Sequence, residues 1–130
     1  MRSSFGKAYI FTLIPFLVLD AIWLGLVAPS FYKSQIGHLM ADSPNFLAAG
    51  IFYLLYVAGM VVFVTGRKGT LKETILRGAF FGFIAYATYD LTNLATLQGW
   101  PVLVTVVDLI WGTFLSAMTA LGARSLLSRF

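Results

Sequence analysis

Residues 101–123 read PVLVTVVDLIWGTFLSAMTALGA, an apolar run with a single charged residue, Asp108. A helix needs about 20 apolar residues to cross roughly 30 Å of hydrocarbon. The run meets this length, and the residues from Gln98 to Trp100 separate it from another apolar stretch. The sequence therefore predicts a transmembrane helix that carries a carboxyl group inside the membrane.

Similar apolar runs occur three more times along the chain. The chain is 59% hydrophobic and only 11% charged, whereas soluble domains have about 25% charged residues. We predict an all-α fold, an integral membrane four-helix bundle, with residues 1–130 as a single transmembrane domain. The predicted helices span about Ala8–Val27, Phe46–Val64, Ile75–Leu97 and Pro101–Ala123.

Basic residues alternate in number between the two sides of this predicted bundle. Lys33 alone lies between the first and second spans, and none lies between the third and fourth. Since positive residues stay in the cytoplasm, both termini and the middle loop are predicted to be cytoplasmic. The net charge of +4 then follows from topology and does not indicate nucleic-acid binding. The other basic residues are Arg2, Lys7, Arg67, Lys68, Lys72, Arg77, Arg124 and Arg129.

Three aspartates lie within the predicted spans, and no lysine or arginine lies at their depth: Asp20, Asp90 and Asp108. A charged side chain in hydrocarbon costs about 2.5–3.5 kcal/mol on insertion scales. Counted from the span ends, each aspartate lies roughly 10 Å below the outer boundary. The shared depth predicts one layer of carboxyl groups in the outer half of the membrane.

Polar or aromatic side chains one helical turn away share the face of each aspartate. Tyr53 and Tyr56, on the second span, are placed to close the remaining side of such a site. The alternatives are that the acids are protonated bridges between helices and that the tryptophans fill the core. The predicted ligand-binding residues are Asp20, Asp90, Asp108, Trp23, Trp111, Asn93 and Tyr86.

Three ionised carboxylates in one buried layer would repel each other strongly. At least one is therefore expected to be protonated when the site is empty, unless a proton, a hard metal ion or an amine head group compensates the charge. The chain has no cysteine and a single histidine, His38. These counts argue against thiolate and histidine-rich metal sites. No metal ligands are assigned, and the cofactor, if there is one, stays unknown.

Three segments carry a resemblance to a known family. They are Leu19-Asp20-Ala21-Ile22-Trp23-Leu24-Gly25, Tyr89-Asp90-Leu91-Thr92-Asn93 and Asp108-Leu109-Ile110-Trp111-Gly112. They resemble a bacterial family of small predicted four-helix membrane proteins of unknown function. The resemblance implies a multi-pass protein of the bacterial inner membrane, with genes often near those of lipid-modifying enzymes. It transfers no catalytic role.

Three functions fit this pattern. The first is binding of a small cationic or amphipathic, lipid-like ligand in a carboxylate-lined pocket, as an accessory to lipid modification. The second is a proton- or cation-coupled small transporter that acts as a homodimer. The third is a membrane-embedded lipid-modifying enzyme, which the lack of a base–nucleophile pair weakens. The expected partners are the lipid bilayer and the ligand, without nucleic acid.

Overall fold

The computed structural model describes residues 4–130, and Arg2 lies outside the described residues. The described chain folds into helices joined by short links, as the all-α prediction requires. A π-helical segment, Val61–Thr65, continues α3, and a 3₁₀ turn, Gly37–Leu39, follows α2. The α-helices are α1 (Phe5–Leu26), α2 (Ala28–Ile36), α3 (Phe46–Met60), α4 (Leu71–Thr96) and α5 (Val102–Arg129).

Polar side chains cap the starts of α1, α3 and α4 and help to set where these helices begin. Ser4 accepts a hydrogen bond from the Lys7 amide at 3.2 Å. At the start of α4, Thr70 and Glu73 form a reciprocal capping box, with N···O distances of 2.8 and 3.1 Å. Each cap satisfies backbone donors that a helix start leaves free. The capping box explains why α4 begins before the apolar stretch that starts at Ile75.

Three of the helical segments are long and apolar enough to cross a membrane: Phe5–Leu26, Phe46–Thr65 and Val102–Arg129. The fourth long helix, α4, has sufficient length at 26 residues but is less apolar. Asp90 and Asn93 are among the polar residues that lower its hydropathy. The prediction of an all-α protein with long apolar helices is confirmed for the described residues.

Helix α5 lies at the centre of the packing, between α4 and α1. The α4–α5 contact is the most extensive in the described chain, and the α1–α5 contact is the next. Gly82 faces the Gly112 carbonyl so closely that neither helix has room for another carbon atom there. On the other side, Gly122 lies against the ring of Pro15. Small residues thus allow the backbones to approach closely, as is usual between membrane helices.

Side-chain contacts show that neighbouring helices run in opposite directions. Arg124, near the end of α5, donates a 2.9 Å hydrogen bond to Thr74, near the start of α4. Thr12 of α1 bonds at 2.9 Å to Thr65, at the end of the π-helical segment. The end of the bundle that carries α2 and the α4–α5 link is called the α2 end, and the opposite one the terminal end.

The first part of α3 packs mainly on α1 and leaves a cleft between α3 and α4. Of α3 and its π-helical continuation, only the continuation packs substantially on α4. Aromatic side chains bridge the cleft, since the Tyr56 ring lies 5.1 Å from the Phe81 ring and 6.3 Å from the Tyr86 ring. The cleft reaches Asp108.

Candidate functional site

Asp90 and Asp108 come together at the contact between α4 and α5. The close approach at Gly82 and Gly112 brings the two helices near enough for the carboxyl groups to lie side by side. Asp90 has no exposed surface, and Asp108 is 5% exposed. Neither oxygen of Asp90 has a hydrogen-bond partner among the described residues. Two carboxyl groups buried this close together would repel each other strongly if both were ionised.

Tyr32 of α2 reaches Asp108 from outside the four long helices. Its hydroxyl donates a short hydrogen bond to the Asp108 carboxyl. Tyr32 is not among the ligand-binding residues predicted from the sequence, because it lies in a connecting segment without a local sign of a site. The structure shows that this segment forms a helix, α2.

Asp20 takes a separate position on α1. Its carboxyl accepts a short hydrogen bond from Tyr53 of α3, and the side chain is 6% exposed. The Trp111 indole lies nearby, but its N–H lacks a partner of normal geometry among the described residues. The three predicted acids are therefore arranged as a pair, Asp90 with Asp108, and a single acid, Asp20.

Stacked tryptophans lie between the single acid and the pair. The rings of Trp23 and Trp111 are 4.4 Å apart and nearly parallel, at 9°. Trp23 also makes an edge-to-face contact with Tyr32 at 6.3 Å. Tyr86 of α4 lies close to Tyr56 and has both Asp20 and Asp108 in its surroundings. These aromatic residues bring α1, α2 and α5 together around the acids.

Asn93 lies one turn beyond Asp90 on α4. It is half-buried and lies near Tyr89, whereas the other predicted residues surround the acids directly. Trp100, in the link between α4 and α5, is buried at 8% exposure. Its indole N–H donates a 3.1 Å hydrogen bond to Thr105. This bond holds the α4–α5 link against the start of α5.

A cavity of about 530 Å³, here named the aromatic cavity, opens beside Asp108 at the α2 end. Its polar and aromatic lining consists of Tyr32, Tyr89, Trp100 and Asp108. Leu24, Ile36 and Met40 contribute to its apolar wall. The cavity therefore combines one carboxyl group with three aromatic rings and an apolar surface.

A second cavity of about 280 Å³ reaches Asp108 from the cleft between α3 and α4. It shares Tyr89 and Asp108 with the aromatic cavity, and Phe52 and Tyr86 complete most of its wall. Asp108 is thus accessible from two sides, while Asp90 lines neither cavity. A ligand in either space would meet the Asp108 carboxyl and not that of Asp90.

Comparison with known proteins identifies the family. Residues 5–124 match a family described as "Predicted membrane protein (DUF2177)". The chain belongs to the DUF2177 family. The suspected resemblance to a family of small membrane proteins of unknown function is thereby confirmed. No curated protein and no solved structure matches the chain.

Within residues 4–130 of this DUF2177 protein, no group of three acidic, histidine or cysteine side chains lies close enough to hold one metal ion.

Tyr32→Phe tests how α2 is held in this DUF2177 protein. Loss of the hydroxyl removes the hydrogen bond to Asp108, so α2 is expected to open more often and exchange its amide hydrogens about tenfold faster, for a loss of about 1–1.5 kcal/mol. Hydrogen exchange measured by mass spectrometry checks this. Tyr9→Phe, which removes a hydrogen bond to the Leu54 carbonyl, is the control and should leave α2 unchanged. Equal α2 exchange in wild type and Tyr32→Phe would contradict the prediction.

Proposed function

We propose that this protein binds an amphipathic compound with one ammonium group in the aromatic cavity beside Asp108. The observation that carries the proposal is a carboxyl group in an otherwise apolar cavity that also presents the rings of Tyr32, Tyr89 and Trp100. Aromatic rings attract cations through their electron-rich faces, and aromatic cages bind quaternary ammonium groups in this way. The Asp108 carboxyl compensates the positive charge of the ligand, and the three rings enclose its ammonium group.

The acid pair supports a ligand with one positive charge. In the proposed site Asp90 is the neutral, protonated partner, because two adjacent buried carboxylates would repel each other, and Asp108 is the carboxylate that lines the cavity. Tyr32 donates to that carboxyl when the cavity is empty. In the proposed complex the ammonium group replaces the Tyr32 hydroxyl at the Asp108 carboxyl, and the Tyr32 ring remains part of the aromatic cage.

The apolar wall supports an amphipathic rather than a wholly polar ligand. Leu24, Ile36 and Met40 offer a surface on which an alkyl portion could lie without loss of hydrogen bonds. A lipid-like amine has both required parts. A role as an accessory to lipid modification would fit such a binder.

In this proposal the protein crosses the bacterial inner membrane four times and has both termini in the cytoplasm. The binding site then lies in the outer half of the membrane. Four long helices run in alternating directions, and α4 turns Asp90 inward against α5. This inward orientation keeps the Asp90 carboxyl away from lipid, which supports α4 as a fourth crossing despite its lower hydropathy. The excess of basic residues at the terminal end supports the orientation.

Asp108→Asn is expected to weaken binding of butyltrimethylammonium about ten- to hundredfold. The change removes the negative charge that faces the cavity, and a charged contact contributes about 1.5–3 kcal/mol. Binding is measured by intrinsic tryptophan fluorescence of the protein in phosphatidylglycerol nanodiscs, whose lipid carries no ammonium group, because Trp100 lines the cavity. Asp42→Asn, which changes an exposed acid, is the control and should bind like wild type. Equal binding by wild type and Asp108→Asn would refute the proposal.

A proton- or cation-coupled transporter that acts as a homodimer is the second candidate. The observation that favours it is the buried pair of carboxyl groups, Asp90 and Asp108, beside an open cavity, because adjacent buried carboxyl groups can take up and release a proton. In reconstituted vesicles such a transporter would move butyltrimethylammonium in response to a pH gradient. If the protein binds butyltrimethylammonium but shows no pH-driven flux, the proposed binding function stands and the transporter is refuted.

A further inference from the structure

We infer that the ligand is a long-chain lipid amine whose alkyl chain lies in a groove between α3 and α4 and enters it sideways from the bilayer. The inference rests on the proposed function for the position of the ammonium group. It goes further because it assigns a separate chain site and so excludes a small water-soluble cation as the natural ligand.

Three cavities follow one another along α4 and share their walls. The aromatic cavity and the 280 Å³ cavity share Tyr89 and Asp108. The 280 Å³ cavity shares Ala85 with a third cavity of about 330 Å³, which extends to Arg77 near the terminal end. The two smaller cavities together are named the lateral groove. A chain attached to a head group at Asp108 therefore has a continuous path down α4.

The lateral groove is apolar along its length. Its wall beyond Asp108 consists largely of Phe52 and Tyr86 near the α2 end and of Phe63, Phe80 and Phe81 farther along. Phe52, Phe63 and Phe80 are 48–67% exposed at its rim. In a membrane this rim faces lipid, so that a chain can enter without crossing water. The Asp108 carboxyl at one end of the lateral groove matches the ammonium group of a lipid amine, and the apolar wall along the rest matches its alkyl chain.

The length of the lateral groove favours one long chain. From Arg77 to Tyr89 it follows α4 over about 18 Å, at 1.5 Å per residue. One leaflet of the hydrocarbon core is only about 15 Å thick, half of roughly 30 Å. A short alkyl group would leave most of the groove to other lipid, whereas a chain of leaflet length or more fills it. The guanidinium of Arg77 marks the end of the path, where it donates a 2.8 Å hydrogen bond to the Lys68 carbonyl.

Photo-crosslinking in phosphatidylglycerol nanodiscs, whose lipid carries no ammonium group, tests the chain position. The probe is a hexadecyltrimethylammonium analogue with a diazirine in the middle of its chain. We expect crosslinks at Phe81, Ala85 and Phe52, mapped by mass spectrometry and removed by excess unlabelled hexadecyltrimethylammonium. Even labelling of the exposed faces of all helices, without competition, would overturn the inference. So would the absence of label from the groove, which is the result expected if a second copy of the chain occupied it.

Ala85 is the residue at which a substitution blocks the path, because it lines both parts of the lateral groove. Ala85→Phe is expected to reduce groove labelling about tenfold. Ala87→Phe, on the same helix but outside these cavities, is the matched control and should label like wild type. Ala85→Leu, a smaller change, provides the same comparison if the phenylalanine variant does not fold. Unchanged groove labelling in the folded Ala85 variant would overturn the inference.

Butyltrimethylammonium separates the chain site from the head-group site. Its chain is too short to pass Ala85, so Ala85→Phe should leave its binding unchanged while Asp108→Asn weakens it. If wild type does not bind this short probe, the proposed function fails. If wild type binds it and the long probe does not label the groove, the proposed function stands and only the chain site is wrong.

Discussion

Gly82→Ala is expected to destabilise the protein by about 3 kcal/mol, near the upper end of the usual cost of overpacking. A Cβ atom at Gly82 would collide with the Gly112 carbonyl oxygen and the Ser116 side chain. A backbone oxygen cannot turn away as a flexible side chain can, so α4 and α5 must move apart. The free energy of unfolding, measured by denaturant titration in detergent micelles, checks this expectation.

Gly50→Ala is the matched control for the glycine substitution. Gly50 is also helical, but nothing lies within 4 Å of the position that its Cβ would take. Alanine is the better helix former, so this variant should be as stable as wild type or slightly more stable. Similar stability of Gly82→Ala and Gly50→Ala would mean that the α4–α5 contact is looser than the structure shows.

Asp90→Leu is expected to cost about 3 kcal/mol, because it leaves the Asp108 carboxyl without its buried partner. Asp90→Asn should cost much less, since the amide can donate to Asp108 in place of the shared proton. The double variant Asp90→Leu/Asp108→Leu should regain most of the stability, since replacement of both buried partners by apolar groups is often neutral. Thermal unfolding of wild type, Asp90→Leu, Asp108→Leu and the double variant in one detergent measures this cycle.

The second prediction depends on the coupling free energy between the carboxyl groups of Asp90 and Asp108. If the double variant loses the sum of the two single losses, the groups act independently and share no proton. Tyr32 would then be the sole donor to Asp108. Asp20→Leu is an instructive comparison, because its hydrogen-bond donor is Tyr53. It should show no coupling to Asp90→Leu.

Much of the site was visible in the sequence as residue types and depth. Acidic residues within apolar runs identified Asp20, Asp90 and Asp108, and helical spacing identified Trp23 and Trp111. The burial of the three aspartates and the stacking of the two indoles agree with an interior location. Whether these residues bind a ligand stays a prediction, since the family has no known function.

Other parts of the site could not be read from the sequence. Tyr32 lies in a link between apolar runs, and only the folding of α2 back over the bundle brings it to Asp108. Ser116 seemed an isolated polar residue, yet its hydroxyl bonds to Tyr56 of α3. Both contacts join residues more than 50 positions apart in the chain. Local sequence patterns do not encode such distances.

The sequence by itself determined an all-α membrane protein and the presence of carboxyl groups inside it. These properties depend on local hydropathy and helix length, which each segment carries independently of its neighbours. Only the tertiary structure decided that Asp90 pairs with Asp108 while Asp20 bonds to Tyr53, and that cavities open beside Asp108. These properties depend on helix rotation and on the close approach at Gly82 and Gly112. A shift of one helix by a single residue would turn its carboxyl group by about 100°.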